Sequence, residues 1–393
     1  MKLLLYSHYF APSIGGVETI VESLARGLAE LRTPDDSQEF TLTLVTDTPQ
    51  GTFDDQTLPF PVLRRPRFCN LYRMVRAADV VHIAGPSFLP MLLAWIARKP
   101  FVVEHHTYQA ICPNGLLIHQ PERSVCPGHF QAGSYGTCWR CECVENGGAR
   151  AAMKLFLAFP RRALVRRAAG NIAVSEHVEK RIAMPRTSVV LHGIAQKIDN
   201  SEGLYDSKGG KSNTTFAFVG RFVAEKGGSV LVEALARLLK RRVDFRAKFI
   251  GDGPERRELE ARIAAAGLGA HVTITGYLTG QKFAEAVKDV TAVVMPSVWE
   301  ETAGLSAMEQ MVRGRVVIAS DIGGLGETVG DAGLKFPAGD VAALADCLEQ
   351  VVADPELAAA KGRAALEKAR QAFSLSQMIE KHRAIYLDAC QRQ

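Results

Sequence analysis

The sequence predicts an α/β protein of two Rossmann-like, doubly wound domains facing each other across a cleft, followed by C-terminal helices. Three observations carry that prediction. Short β-branched or apolar runs alternate with longer helical patterns, which is the signature of parallel βαβ units. That pattern stops near residue 195 and restarts near residue 214. At 393 residues the chain is also too long for one ordinary core.

In the first half the strands read as Lys2–Ser7, Thr41–Thr46, Val80–Ile83, Phe101–Glu104, Asn171–Ser175 and Ser188–Leu191. Several are apolar throughout, as strands covered by helices on both faces must be. Between them lie helices such as Val17–Leu31, where Ile20, Leu24 and Leu28 recur every four residues. Gln196 to Asn213 is polar, glycine-bearing and aperiodic, and reads as an interdomain linker. The second half gives strands at Thr215–Val219, Arg246–Ile250, Val272–Thr275, Ala292–Met295 and Val316–Ala319. Asp340 is placed to cap a helix over Val341–Ala353, which Asp354-Pro355 stops. Ser374 to Gln377 has capping-box spacing ahead of a helix over Met378–Cys390. The domains are therefore expected at 1–195, with an insert over 112–143, and at 214–375. Residues 376–393 form a last helix expected to pack back on the first domain.

Bulk properties exclude several classes. Forty-seven basic against 42 acidic residues leave a net charge of +5, too mild to argue for nucleic acid. No apolar run reaches the ~18 residues of a membrane span, and Phe88 to Ala97 ends at Arg98-Lys99. Met1 to Tyr6 is too short for a signal core, and Ser7-His8-Tyr9 follows where small residues would mark cleavage, so it reads as a buried strand. A cytoplasmic chain is expected, its eight cysteines serving as free thiols or metal ligands and not as a disulfide framework.

Three segments of the second half suggest chemistry. Val219 to Gly228 joins a strand to its helix at the edge where parallel sheets bind ligands. Gly220 permits close backbone approach there, while Arg221 and Lys226 are placed to neutralise a diphosphate. In Pro296 to Glu309, Glu301 precedes a helix starting near Leu305 and Glu309 lies on its first turns. The amides of Ala303-Gly304-Leu305 suit an anion, and a carboxylate can accept hydrogen bonds from two adjacent sugar hydroxyls. Ser320 to Thr328 is a glycine-rich strand-to-helix turn. Taken singly, each has a bland reading as a solvated loop, exposed carboxylates or a tight turn.

In this order the three segments resemble the donor half of glycosyltransferase family 4, the retaining enzymes of GT-B fold. The hallmark E-x7-E is Glu301…Glu309, accompanied by the Gly-Arg…Glu-Lys-Gly loop and by Ile250-Gly251-Asp252-Gly253-Pro254-Glu255. The resemblance runs from about Leu3 to Glu356. It implies that Arg221 and Lys226 hold a diphosphate, Glu309 the ribose hydroxyls and Glu301 the transferred sugar, with Ala303, Gly304 and Leu305 against that sugar. Tyr277 is placed to meet the base, and Gly15 and Gly16 to approach a phosphate. Alignment on Ile111-Cys112-Pro113 sets His106 on the family's cleft histidine, a sugar contact; His82 is a weaker candidate of the same kind. Two departures bear on sugar identity: Ala303 stands where an aromatic is usual, and Arg315-Val316 where Thr-Pro is usual.

The activity implied is retaining, metal-independent transfer from a UDP- or GDP-sugar to a hydroxyl of a glycan, lipid-linked or small-molecule acceptor. The chain contains no Asp-x-Asp, the metal–nucleotide motif of the other large transferase class. A nucleotide-sugar epimerase lacks support from E-x7-E. A catalytically inactive nucleotide-sensing or scaffolding relative is the alternative from another class. Some family members carry an insert like Cys112, Cys126, Cys138 and Cys141, whose spacing here suits structural zinc, with independent thiols as the competing reading. Arg150 to Arg167 mixes basic and apolar residues and reads either as a packed helix with a basic side or as a surface for peripheral membrane contact.

Overall fold

In a computed structural model, residues 1–13, 15–119, 124–141, 148–195 and 214–392 are described. The linker proposed at 196–213 and Cys143 lie outside them. The chain divides into two compact units: one of Met1–Glu122, Cys126–Ala195 and Phe373–Gln393, the other of Gln196–Ala372 with Arg123–Val125.

The first unit contains β1 (Lys2–Ser7), α1 (Gly16–Glu30), β2 (Thr41–Thr46), β3 (Val62–Arg64), α2 (Phe68–Ala77), β4 (Val80–Ala84), α3 (Phe88–Ile96) and β5 (Phe101–His105). It continues with α4 (Tyr135–Arg140), α5 (Gly148–Val165), β6 (Gly170–Ala173), α6 (Glu176–Ile182) and β7 (Thr187–Val189). The seven strands are all parallel in the order β3-β2-β1-β4-β5-β6-β7. Leu3, Leu5, Val80, Val81, Val102 and Val103 are buried in it, as the apolar strand runs require.

The second unit contains β8 (Thr215–Val219), α7 (Gly228–Lys240), β9 (Arg246–Ile250), α8 (Arg256–Ala265), β10 (Val272–Gly276), α9 (Gly280–Val287), β11 (Ala292–Met295) and α10 (Leu305–Val312). It closes with β12 (Val316–Ser320), α11 (Gly323–Val329), β13 (Leu334–Phe336), α12 (Val341–Ala353) and α13 (Pro355–Ala372). Its six strands are parallel in the order β10-β9-β8-β11-β12-β13, over a core that includes Phe216, Phe218, Leu235, Phe249, Val294 and Ile318.

Both sheets reverse their winding once, between β1 and β4 and between β8 and β11. Loops leaving neighbouring strands in opposite directions open a crevice there, at the carboxyl edge where such sheets bind ligands.

Local details depart from the sequence expectation at several points. The edge strands β3 and β13 have three residues each, too few to show a period. The last helix, α14 (Leu375–Gln391), begins at Leu375 and not Met378, because Ser374 caps it by accepting from the Gln377 amide. Helix α5 runs through Pro160 without a break. Asp340 accepts from the Ala342 and Ala343 amides at the start of α12. Helix α14 packs on α1, β4 and β5, and Arg383 pairs with Glu39 at 2.7 Å. Gly193 makes that docking possible, since a Cβ there would lie 2.4 Å from the Cα of Leu375.

Candidate functional site

The second unit builds its candidate site from the loops after β8 and β11, the two strands flanking the switch point. Gly227, in the left-handed conformation (φ 69°), ends a 3-10 turn over Ala224–Lys226 and starts α7. A Cβ on Gly227 would sit 1.9 Å from the Pro296 carbonyl, so only glycine lets the loops approach this closely. The Val298 amide donates to the Glu225 carbonyl at 3.0 Å and ties them together. This contact sets Lys226 Nζ 2.9 Å from Glu301 Oε1.

Glu301 is buried, and its Oε1 also accepts a short hydrogen bond from the Ser297 hydroxyl. Its backbone is gripped by α11: the Gly324 amide donates to the Glu301 carbonyl at 2.6 Å, and Gly323 has no room for a Cβ against it. The glycine-rich turn at 320–328 thus acts on Glu301 through the backbone. Ser297 was not singled out from the sequence; its place four residues before Glu301, in the turn out of a buried strand, was the available signal.

Ala303 is buried, with its carbonyl accepting from Thr328 Oγ1. Gly304 (φ 77°) is the N-cap of α10, which begins at Leu305 and leaves its first amides without side-chain caps. Glu309 lies on the second turn. Burial raises its pKa above the ordinary carboxylate value, against the opposing effect of Arg313. Arg315 donates to Gln310 and to the Val287 carbonyl, a structural use of one departure from the family pattern. Gly220 follows β8 with φ 155°, and Arg221 beside it is exposed. Tyr277 is half exposed after β10, where Gly276 accepts from the Gly251 amide at 3.0 Å. The structure therefore joins Lys226 to Glu301 directly and sets Arg221, Gly220 and Tyr277 on loops of the same sheet edge.

In the first unit, Gly15 is the N-cap of α1 and Gly16 its first residue, after the switch-point strand β1. Beyond β1 and β2 lies a cavity of about 420 Å³ lined by His8, Tyr9, Ser13, Asp47, Thr48 and Arg65, among others. Asp47 organises it, accepting from Tyr6 at 2.5 Å and lying 2.8 Å from His8 Nδ1.

His106 is buried, its Nε2 3.4 Å from Glu104 Oε2 and its ring stacked on His192 at 5.3 Å. The other sequence candidate, His82, is wholly enclosed on β4, with Nδ1 2.9 Å from the Tyr386 hydroxyl and Nε2 3.3 Å from Glu104. His382 of α14 and His192 also face Glu104, at 3.6 and 4.0 Å. Burial pushes the Glu104 pKa up, and the His106 and His382 imidazoles outweigh it, holding the carboxyl well below its ordinary value. Burial lowers His82, takes His105 to about 4 and takes His192 to about 3. Glu104, His192 and His382 were missed in the sequence because they come together only through parallel pairing and the docking of α14.

Among the described residues, the thiols of the cysteine insert do not by themselves form a set of mutually close donors. Cys112, Cys126 and Cys138 are buried, and the Gly128 amide donates to Cys126 Sγ at 3.4 Å. Burial raises the Cys138 pKa to about 11, with Cys112, Cys126 and Cys141 adding to the shift. Cys141 lies one turn beyond Cys138 at the C-cap of α4. The described residues also include a set that the spacing did not suggest: donor atoms of His119, Cys126 and His129 lie within 4.8 Å of one another.

A helix N-terminus, a lysine–carboxylate pair and glycine loops at a switch point define an α/β protein suited to a phosphorylated, hydroxyl-bearing ligand. The family model "Glycosyltransferase Family 4" matches residues 14–194, and "Glycosyl transferases group 1" matches residues 206–368. The chain belongs to the family-4 glycosyltransferases and has their GT-B fold. It is 40% identical over 152 residues to a 2-deoxystreptamine glucosyltransferase of Streptomyces kanamyceticus, covering 38% of this chain and 39% of the relative. Similarity to an alpha-D-kanosaminyltransferase of the same organism is 34% over 171 residues, covering 43% and 44%. The chain thus spans less than half the length of these relatives. Among solved structures, Anabaena Alr3699/HepE in complex with UDP and glucose superposes with a TM-score of 0.70 at 19% identity, covering 98% of both chains. Among the described residues no helix is long and apolar enough to cross a membrane.

Proposed function

We propose that the chain is a retaining glycosyltransferase that moves a sugar from a UDP- or GDP-sugar to a hydroxyl of a glycan, lipid-linked or small-molecule acceptor. The observation that carries this reading is the meeting of Lys226 and Glu301 across the switch point, 2.9 Å apart beside the N-terminus of α10. In the reaction the bond from the sugar's anomeric carbon to the β-phosphate oxygen breaks, and its electron pair leaves with the diphosphate. The acceptor oxygen bonds to the same face of that carbon, and its proton passes to the departing phosphate oxygen. Arg221 and Lys226 take the growing negative charge, and one such preorganised donor is worth about 3 kcal/mol of barrier. Glu301 positions both the Lys226 ammonium and the sugar hydroxyls; Glu309 accepts from the ribose. No metal is required by this scheme.

The cavity over His8, Asp47, Thr48 and Arg65 offers donors and acceptors for a polyhydroxylated acceptor, with His106 as a further contact in the first unit. The relative named for 2-deoxystreptamine makes a small polyol the first acceptor to try. Structural zinc suits the insert: burial and then the neighbouring thiols of Cys112, Cys126 and Cys141 raise the Cys138 pKa to about 11, an effect that a cation reverses, and His119 and His129 extend the ligand choice beyond Cys112, Cys126, Cys138 and Cys141. Peripheral membrane contact has one favourable observation, the exposure of Met153, Phe156 and Phe159 on basic helix α5.

The test is incubation with UDP- and GDP-sugars and a panel of polyol acceptors, with the product's anomeric configuration read by NMR. The donor's own configuration in the product is expected; inversion, or no donor turnover by folded protein, defeats the proposal.

A further inference from the structure

Apart from His106, the cluster around Glu104 has no part in the proposed reaction, and its chemistry calls for a separate account. A carboxylate with no exposed surface stands among four histidines drawn from β4, from the residue after β5, from the segment after β7 and from α14. Neither oxygen of Glu104 makes a hydrogen bond among the described residues, and neither does Nε2 of His82 or of His382. Three of these atoms, Glu104 Oε2, His82 Nε2 and His382 Nε2, face one another at 3.3 and 3.6 Å from the carboxylate oxygen, longer than good hydrogen bonds, whereas nearly all polar atoms this deep in a protein are closely paired.

The outer faces of the two rings are already committed. His382 Nδ1 lies 2.8 Å from the Met378 carbonyl, which can only accept, so this nitrogen is the donor and Nε2 is the nitrogen left to face Glu104. His82 Nδ1 has the Tyr386 hydroxyl at 2.9 Å. Metal-binding histidines are oriented in this manner, with the remote ring nitrogen held by a carbonyl or hydroxyl. Spacing agrees as well. Ligands about 2.0–2.2 Å from a tetrahedral ion stand roughly 3.3–3.6 Å from one another. Glu104 Oε2 is 3.3 Å from His82 Nε2, 3.4 Å from His106 Nε2 and 3.6 Å from His382 Nε2. Donor atoms of His82, Glu104 and His382 all lie within 4.8 Å.

We propose that His82, Glu104 and His382 hold a zinc-class divalent cation; His106, which shares Glu104 with His192 in a second donor set, stands beside it. Imidazole and carboxylate donors in a small closed site suit that class of ion. The ion fastens α14 to β4 and β5, so its role is to anchor the C-terminal helix and fix the ring of His106. It enters during folding, since every ligand is buried. This site is independent of the cysteine insert and touches the transferase reading only through His106, which packs on Glu104.

Cobalt(II) separates the two kinds of site, because thiolate ligands give intense near-ultraviolet charge-transfer absorption and nitrogen–oxygen ligands give only weak visible bands. The full chain is prepared as wild type, as a Cys126→Ser/Cys138→Ser variant, as Glu104→Gln and as His382→Gln, each produced with cobalt as the sole added metal. The expected result is about one equivalent of cobalt with weak visible bands in the cysteine variant, falling at least ten-fold in Glu104→Gln and His382→Gln at that site. In the Cys126→Ser/Cys138→Ser background, chelator treatment during unfolding and refolding lowers the melting temperature, and it has no effect once His382→Gln is added. Should the cysteine variant not fold, wild type decides: visible bands beyond those of the thiolates support the site. Thiolate bands alone, or folded protein without cobalt, overturn it and leave Glu104 paired with an imidazolium.

Discussion

Lys226 and Glu301 form the pair on which the donor site turns. The lysine is partly open to water, so the pair contributes less to stability than a closed one would. In the proposed reaction it aims an ammonium at the place where a diphosphate gains charge. Lys226→Ala is expected to lower the transfer rate by 10²–10³-fold, corresponding to about 3–4 kcal/mol of barrier, with little change in melting temperature; steady-state kinetics with the accepted donor checks this. Glu309 is the complementary case. Its pKa is raised in the folded chain, so the fold binds that proton more tightly than the unfolded chain does and is penalised when the group ionises. That penalty is present at neutral pH and fades as pH falls through the raised value. Glu309→Gln should therefore melt at or above the wild-type temperature at pH 7.5, with the gain vanishing near pH 4, while diphosphate affinity drops at least ten-fold. A variant that is less stable at pH 7.5 would show that ribose binding is not the reason for keeping an ionisable group there.

At the scale of elements, glycines decide which segments touch. Gly227 admits the Pro296 carbonyl, Gly323 the backbone of Glu301, and Gly193 the first turn of α14. Gly193→Ala should lower stability by about 1–3 kcal/mol, as overpacking does, and hydrogen exchange should show the loss concentrated in α14. Most elements were legible in advance because their signals are local. Apolar strand runs, the four-residue recurrence in α1 and the Asp340 cap each need only neighbouring residues. The start of α10 at Leu305, which sets Glu301 in the loop and Glu309 on the helix, was equally local. Strands β3 and β13 were not legible, since three residues at a sheet edge carry no period. Glu104, His192 and His382 were hidden for a different reason. Their meaning lies in partners up to three hundred residues away in sequence, as with Tyr386 and His82.

Across the whole molecule, two parallel sheets place their glycine loops at equivalent switch points, and chemistry is divided between them. Cations and carboxylates suited to a nucleotide-sugar stand on the second unit. The first has the polar cavity and the buried histidines, and α14 returns to it after the second is complete. The central claim, donor binding by the second unit, is tested most directly by calorimetric titration of UDP, GDP and ADP into wild type and a Glu309→Ala/Arg221→Ala variant. Micromolar binding of UDP or GDP to wild type, abolished in a variant that keeps its circular dichroism and melting transition, is the predicted result. No binding of any of the three to folded wild type, or equal binding to the variant, would contradict it and favour a relative of this fold that has lost its chemistry.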